Sequence, residues 1–240
     1  YTGPDSLGCA IAMDKGVTKQ IFQQAGVDTP KGVCIHKNKK KKELDDLGLT
    51  LPVVVKPCSG GSSIGVYIAQ TAEEYAEALE NSFRYEDEVV IEEYIKGREF
   101  ACGVIDGEHF HRSRSFRRPD FLIMRTNIRT VRPKKSARQI ISEEISERMK
   151  ELTVRAFHAL KLNVYSRADF LLDEKGNLYC LEVNTLPGMT AASLLPKEAN
   201  AAGIAYGDLC ELIIKNRWKH GTSKERIYET YDIARNRTGM

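Results

Sequence analysis

Apolar and polar positions along the chain divide it into helices and strands that alternate without an internal repeat. Asp14 is placed to cap a helix running from Lys15 to about Ala25, with Gly26 to end it and Thr29-Pro30 to break the chain after it. Leu51–Lys56 is a β-branched run that predicts a strand. The turn-rich stretch Pro57–Gly65 follows, then a second strand at Val66–Ala69. Thr71, with Glu74 three residues on, opens a helix to about Phe83. Strands are predicted at Val89–Tyr94 and Arg98–Ile105, and a long amphipathic helix from Ser142 to about Leu160, led by Glu143 and Glu144. Ala168–Leu172, the turn Asp173–Asn177 and Leu178–Val183 predict a hairpin. Helices from Ser193 to about Ala202 and over Tyr206–Trp218 close the pattern, and the tail 219–240 lacks apolar periodicity. The order of elements predicts an α+β fold.

Composition narrows the class. The chain has 240 residues, 42% hydrophobic and 29% charged, as in soluble domains with one or two cores. No segment approaches the roughly 20 apolar residues of a membrane span. The apolar run Leu7–Met13 lacks a preceding basic region, so no signal peptide and no membrane partner are expected. Six cysteines are scattered with no C-x-x-C pair, which argues against a zinc site or a disulfide framework and for free thiols in a reducing cytoplasm. The net charge of +3 is misleading. Residues 109–139 hold ten Lys/Arg and one acid, Asp120, and without them 26 basic residues face 32 acidic ones. The basic run Lys37–Lys42 has no interleaved aromatics and reads as a solvated face; no nucleic-acid partner is expected.

Three features carry candidate chemistry. Lys56 ends a buried strand and is followed by Pro57-Cys58-Ser59-Gly60-Gly61-Ser62-Ser63-Ile64-Gly65. Such a loop lets backbone N–H groups approach phosphate oxygens while the lysine adds a point charge. An ordinary hairpin loop has the same composition, and no Walker A motif is present. Second, Arg167-x-Asp169 and Glu182-x-Asn184 fall on the two hairpin strands with spacing that keeps each pair on one face. Three hard oxygen donors suit Mg²⁺, and an adjacent arginine suits a transferring phosphoryl group; a surface salt-bridge ladder is the competing reading. Third, Ile91-Glu92-Glu93-Tyr94-Ile95, with Glu99 beyond, could offer a strand edge to adenine and a carboxylate to ribose, or be an exposed acidic edge.

In this order the motifs resemble the D-alanine–D-alanine ligase branch of the ATP-grasp family. The resemblance rests on Ala12-Met13-Asp14-Lys15, Lys56-Pro57 with Gly61-Ser62-Ser63-x-Gly65, Ile91-Glu92-Glu93-x-Ile95-x-Gly97-x-Glu99, Arg167-x-Asp169, and Glu182-x-Asn184-Thr185-x-Pro187-Gly188-Met189-Thr190. It implies two ATP-grasp lobes with mainly antiparallel sheets enclosing a nucleotide cleft, one over 15–106 and one over 107–218, after a connecting segment 1–14. It implies that Lys15 and Lys56 contact ATP phosphates, with Gly61, Ser62 and Ser63 in the loop that closes over them. Glu92, Glu93, Tyr94 and Ile95 are expected at adenine and Glu99 at ribose. Asp169, Glu182 and Asn184 are expected to hold two Mg²⁺ ions, or Mn²⁺, with Arg167 near the acyl phosphate and Ser193 and Leu194 near the second substrate. The implied reaction joins two D-alanine molecules for peptidoglycan precursors: ATP phosphorylates one carboxylate, and the second amine displaces phosphate. The intact family protein is allowed a homodimer.

Two departures qualify the resemblance. The family's N-terminal domain, with its first-substrate contacts, has no counterpart in these residues. Residues 109–139 also fail to match the family's substrate-covering loop and its Lys-Tyr pair. Read one base out of frame with synonymous codons, Glu108 through Arg129 can encode ALPPVEIIPKAGFLDYENKYP, which restores that pair. The expectation is a pair of compensating frameshifts that impairs the chain; a genuine basic insert for an acidic partner is the alternative. A D-alanine–D-lactate or D-alanine–D-serine ligase, another carboxylate–amine ligase, a catalytically dead nucleotide-binding fragment and an electrostatic nucleic-acid binder stay open at this point.

Overall fold

The computed structural model describes residues 1–39, 43–106, 124–125 and 141–220. Two four-stranded antiparallel sheets organise it. The first holds β1 (Gly32–His36), β2 (Val53–Pro57), β3 (Tyr67–Ala69) and β4 (Glu88–Glu93) in the order β1-β4-β2-β3. Val53 and Val55 of β2 and Val89 and Ile91 of β4 face a core shared with Ile35, Leu47 and Leu49. That core is sealed by Tyr75, Ala78 and Leu79 of α4 (Ala72–Ser82), whose start is capped as expected: Thr71 Oγ1 accepts from Glu74 N. The intervening positions Val54, Lys56, Val90 and Glu92 therefore face the other side, and they are buried too.

The second sheet has the order β6-β5-β7-β8, with β5 (Gly97–Ile105), β6 (Met124–Arg125), β7 (Tyr165–Asp173) and β8 (Leu178–Asn184). The division of the sequence at residue 106 groups β5 with the first lobe. Instead β5 pairs with β7 along its whole length, Gly97 opposite Asp173 through Ile105 opposite Tyr165. Phe100, Cys102 and Val104 alternate into a core with Ala168, Phe170 and Leu172, covered by Met149, Leu152, Ala156 and Phe157 of α5 (Glu143–Ala159). Ser142 caps α5, accepting from Ile145 N at 3.3 Å. A third cluster joins Tyr165 and Ile105 to Leu195 and Ala199 of α6 (Leu194–Ala201) and to Leu209 and Ile213 of a last helix over 206–220, which includes Lys219 and His220.

Two short helices and one strand were not legible in the periodicity: α1 (Ser6–Met13), α3 (Leu44–Leu47) and β1. Helix α2 (Lys15–Ala25) has the expected ends. Asp14 accepts from Val17 N at 2.9 Å, and Gly26 takes φ 66°, a left-handed conformation that glycine adopts without strain. Its apolar face enters the second sheet's core through Phe22, which is fully buried. Within 109–139, only the backbone at 124–125 is described; it pairs with Ala101 and Phe100. The expected frameshifted loop, residues 40–42 of the basic run, and the tail beyond 220 lie outside the described residues.

Since Phe22 anchors α2 to the second sheet, Phe22→Ala should lower stability by about 3–5 kcal/mol, the cost of emptying a well-packed aromatic site. Urea denaturation measures it; a loss under about 1 kcal/mol would mean that α2 is not docked there.

Candidate nucleotide and metal site

The polar groups of the cleft come from α2, the face of the first sheet that bears Lys56 and Glu92, and the β7–β8 hairpin. At its base Glu92 of β4 is 3% exposed and held between two lysines. Its Oε2 lies 2.6 Å from Lys56 Nζ and its Oε1 2.7 Å from Lys19 Nζ. Burial pushes the Glu92 carboxyl up, but Lys56 and Lys19 outweigh it and hold the group below the usual carboxylate range. Burial pushes Lys19 down, opposed by Glu92. Lys19 was not singled out in the sequence. Its spacing of four from Lys15 was the available signal, because i and i+4 share a helix face. The trio of two ammonium groups and one carboxylate leaves one net positive charge at the bottom of the cleft.

Lys15, at the start of α2, adds to that charge. Its Nζ donates to Gly60 O at 2.5 Å and lies 3.6 Å from Glu182 Oε2, linking the glycine/serine loop to the hairpin. The loop itself is exposed at Gly61, Ser62 and Ser63. Ser62 (φ 52°) and Ser63 (φ 58°) both take left-handed backbone, as does Gly65 (φ 74°). Gly65 also sits where a Cβ would meet Pro57 Cγ at 2.8 Å and Tyr85 Cδ2 at 2.9 Å, so glycine is required twice over.

On the hairpin the register places Arg167 opposite Asn184 and Asp169 opposite Glu182. Arg167 forks onto Asp169 with two bonds, Nε to Oδ1 at 2.8 Å and Nη2 to Oδ2 at 2.7 Å. Asn184 Nδ2 donates to Asp169 Oδ2 at 3.0 Å and to Glu182 Oε1 at 3.4 Å. The four side chains thus converge. Burial raises the Asp169 carboxyl above its ordinary value, and the bonds from Arg167 only partly oppose it. Glu198 of α6, which no motif marks in the sequence, is buried nearby and pushed well up by burial, with Arg167 pulling the other way.

A bulge makes this convergence possible. The pairing shifts from Phe170–Cys180 to Asp169–Glu182, leaving Leu181 as an extra residue. Cys180 N donates instead to Asp28 O at 2.7 Å. Leu178 and Cys180 face the core before the bulge and Val183 does so after it. Without the extra residue, Glu182 and Asn184 would share the core-facing parity of Leu178 and Cys180.

The remaining expected residues lie along the cleft's edges. Glu93 accepts from Lys31 N at 2.8 Å, while Tyr94 N donates to Pro52 O; Tyr94 and Ile95 form the half-buried link from β4 into β5. Glu99 is half-buried on β5. Ser193 precedes α6, its Oγ accepting from Thr190 N at 3.1 Å, and Leu194 is the helix's first residue. Among the described residues, no helix is long and apolar enough to cross a membrane.

Comparison with known proteins identifies the architecture. Residues 21–215 match the family described as "D-ala D-ala ligase C-terminus". A D-alanine–D-alanine ligase of Pediococcus pentosaceus is 39% identical over 220 residues, which span 91% of this chain and 62% of that protein. D-alanine–D-alanine ligase A of Bacillus cereus is 39% identical over 229 residues and 72% of its length. The crystal structure of the Bacillus anthracis D-alanine–D-alanine ligase complexed with ATP superposes with a TM-score of 0.77 at 36% identity, covering 93% of this chain and 72% of that one. The described fold is that of an ATP-grasp protein, and the chain belongs to the D-alanine–D-alanine ligase C-terminal family.

Proposed function

We propose that this chain carries the ATP-grasp portion of a D-alanine–D-alanine ligase. The carrying observation is the cleft's charge arrangement: Lys15, Lys19 and Lys56 gather beside a glycine/serine loop, and Lys15 Nζ reaches to 3.6 Å from Glu182 Oε2 of the hairpin. Cations set beside hard oxygen donors suit a polyphosphate held with a divalent metal.

Lys15 and Lys56 bind ATP phosphates, and backbone N–H groups of Gly61 and Ser63 close over them, with Ser62 at the reacting end. Glu93 through Ile95 present a backbone edge to adenine, and Glu99 takes the ribose. Glu92 stands beside the adenine in this reading, and its ion pairs with Lys56 and Lys19 support a second role, holding those lysines in place for the nucleotide. Asp169, Glu182 and Asn184 fit Mg²⁺ or Mn²⁺, since they are mutually close, hard donors with a raised, under-compensated carboxyl among them; a bound ion supplies charge neutralisation on the phosphates. Arg167 offsets charge on the transferring phosphoryl group in this reading, which its fork onto Asp169, among the donor side chains, supports.

The reaction joins two D-alanine molecules. A carboxylate oxygen takes the γ-phosphoryl group of ATP as its bond to the β,γ-bridging oxygen breaks and ADP leaves; the second amine then attacks the acyl carbon, a C–N bond forms, phosphate leaves and the amine loses a proton. Ser193 and Leu194, at the start of α6, flank the second substrate. D-lactate or D-serine in its place is the runner-up. Cytoplasmic location and a homodimer of the intact protein accompany this reading. The chain spans 62–72% of these relatives' lengths.

Lys56→Met keeps the buried stem but removes the charge. It should lower the melting temperature without ligand, because Glu92 keeps only Lys19, and it should shrink the further rise produced by Mg-ATP. Equal ATP-induced shifts in wild type and variant, each against its own ligand-free value, would dismiss the phosphate role. These 240 residues tested alone should release phosphate from Mg-ATP and D-alanine at close to background rates. Supplying a family N-terminal domain and the shifted-frame segment should raise that rate by orders of magnitude. Robust D-alanine-dependent turnover by the unaltered chain would refute the expected impairment.

A further inference from the structure

We propose that Cys34, Cys58 and Glu88 form a binding site for a thiophilic divalent cation of the Zn²⁺ class, set against the outer end of the nucleotide loop. No sequence motif announces it, because the two cysteines are 24 residues apart. The first sheet brings them together. Cys34 lies on β1, Glu88 begins β4, and Cys58 follows the last residue of β2, its N–H donating to Glu88 O at 3.2 Å. The side chains of Cys34 and Cys58 approach to 2.9 Å between sulfurs, and the two sulfurs and a Glu88 carboxylate oxygen all lie within 4.8 Å of one another. Room for the Cys34 sulfur comes from Gly16, where a Cβ would stand 3.1 Å from it.

Two sulfurs so close could instead form a disulfide, whose S–S bond of about 2.05 Å is shorter than the observed 2.9 Å. The Glu88 carboxylate beside the pair favours a cation over that bond. A tetrahedral Zn²⁺ with Zn–S bonds of about 2.3 Å holds its sulfurs about 3.8 Å apart, within a sub-ångström adjustment of the observed pair. Glu88 supplies a third donor from the intervening strand. Two thiolates and a carboxylate select a Zn-class ion over Mg²⁺, which takes oxygen donors. Binding releases one proton from each thiol and leaves the fourth position to water.

The site is joined to the nucleotide loop by backbone. Cys58 O accepts from Lys15 N at 2.9 Å, Lys15 Nζ bonds Gly60 O, and residues 59–65 follow directly. A cation on Cys58 therefore fixes the near end of the loop.

The test uses Co²⁺ as a spectroscopic probe on the full, reduced chain without nucleotide, so that it reads the metal site whether or not the ligase reading holds. One equivalent should produce a sulfur-to-cobalt charge-transfer absorption that Zn²⁺ displaces. Cys34→Ser, at the surface, should abolish most of that absorption, as should Cys58→Ser. Glu88→Gln should weaken Co²⁺ binding about tenfold or more. An absent charge-transfer band, or a band that survives Cys34→Ser, would overturn the proposal. So would quantitative formation of a Cys34–Cys58 disulfide in air with one equivalent of Zn²⁺ present, since a cation held by both thiolates protects them from oxidation.

Discussion

The buried carboxylate of Glu92, clasped by Lys56 from the neighbouring strand and Lys19 from α2, is the interaction on which the cleft depends. Desolvating three charges is expensive, and such a cluster contributes little net stability compared with apolar residues of the same volume. Its effect is geometric. Glu92 can satisfy both lysines only if α2 crosses the inner face of the first sheet at that point. The opposite side of α2 puts Phe22 into the second sheet's core. One helix, charged on one side and apolar on the other, thereby ties the two sheets across the site and leaves a residual positive charge between them.

The acidic side of the cleft is built by a different device. Antiparallel pairing of β7 and β8 sets Arg167 against Asn184 and Asp169 against Glu182, and the bulge at Leu181 turns Glu182 and Asn184 out of the core. The consequence is a group of side chains that fits poorly without a ligand. Asp169 is buried enough to resist ionisation and depends on Arg167 for compensation. A site of this kind lowers stability when empty and recovers it when a cation and an anionic ligand arrive together. The linkage has a sign. The folded-state pKa of Asp169 is raised, so its ionisation costs stability as pH rises through the carboxylate range, whereas Glu92, with a depressed pKa, contributes stability above its unfolded pKa and loses it on acidification.

The comparison with ATP-grasp ligases and the charge geometry lead to the same functional class by separate routes. The first is a matter of descent. The second would hold for an unrelated chain with three lysines, a glycine/serine loop and paired oxygen donors arranged in this way. They differ in reach, because the charge geometry speaks to phosphate and metal, whereas D-alanine enters only through the relatives. The chain's partial coverage of those relatives makes that distinction matter.

Local chemistry was enough to read the regular elements and part of the site. Asp14, Thr71 and Ser142 cap their helices because a side-chain oxygen three residues before an unpaired N–H needs no tertiary partner. The pairs Arg167/Asp169 and Glu182/Asn184 were legible because a strand repeats every two residues. Strand β1 was not, since its short run gains its place only by pairing with β4. The membership of β5 in the second sheet was equally hidden, being a choice of partner rather than a propensity. The sequence could not show that Glu92 serves two lysines, that Lys19 joins the cleft, or that Cys34 and Cys58 meet across β4. Each is a contact between residues far apart in the chain, and periodicity carries no information about which strands will be neighbours. The bulge at Leu181 makes the same point most sharply: a strict two-residue period puts Glu182 and Asn184 on the core side with Cys180, and only the pairing of β8 with β7 turned them into the cleft.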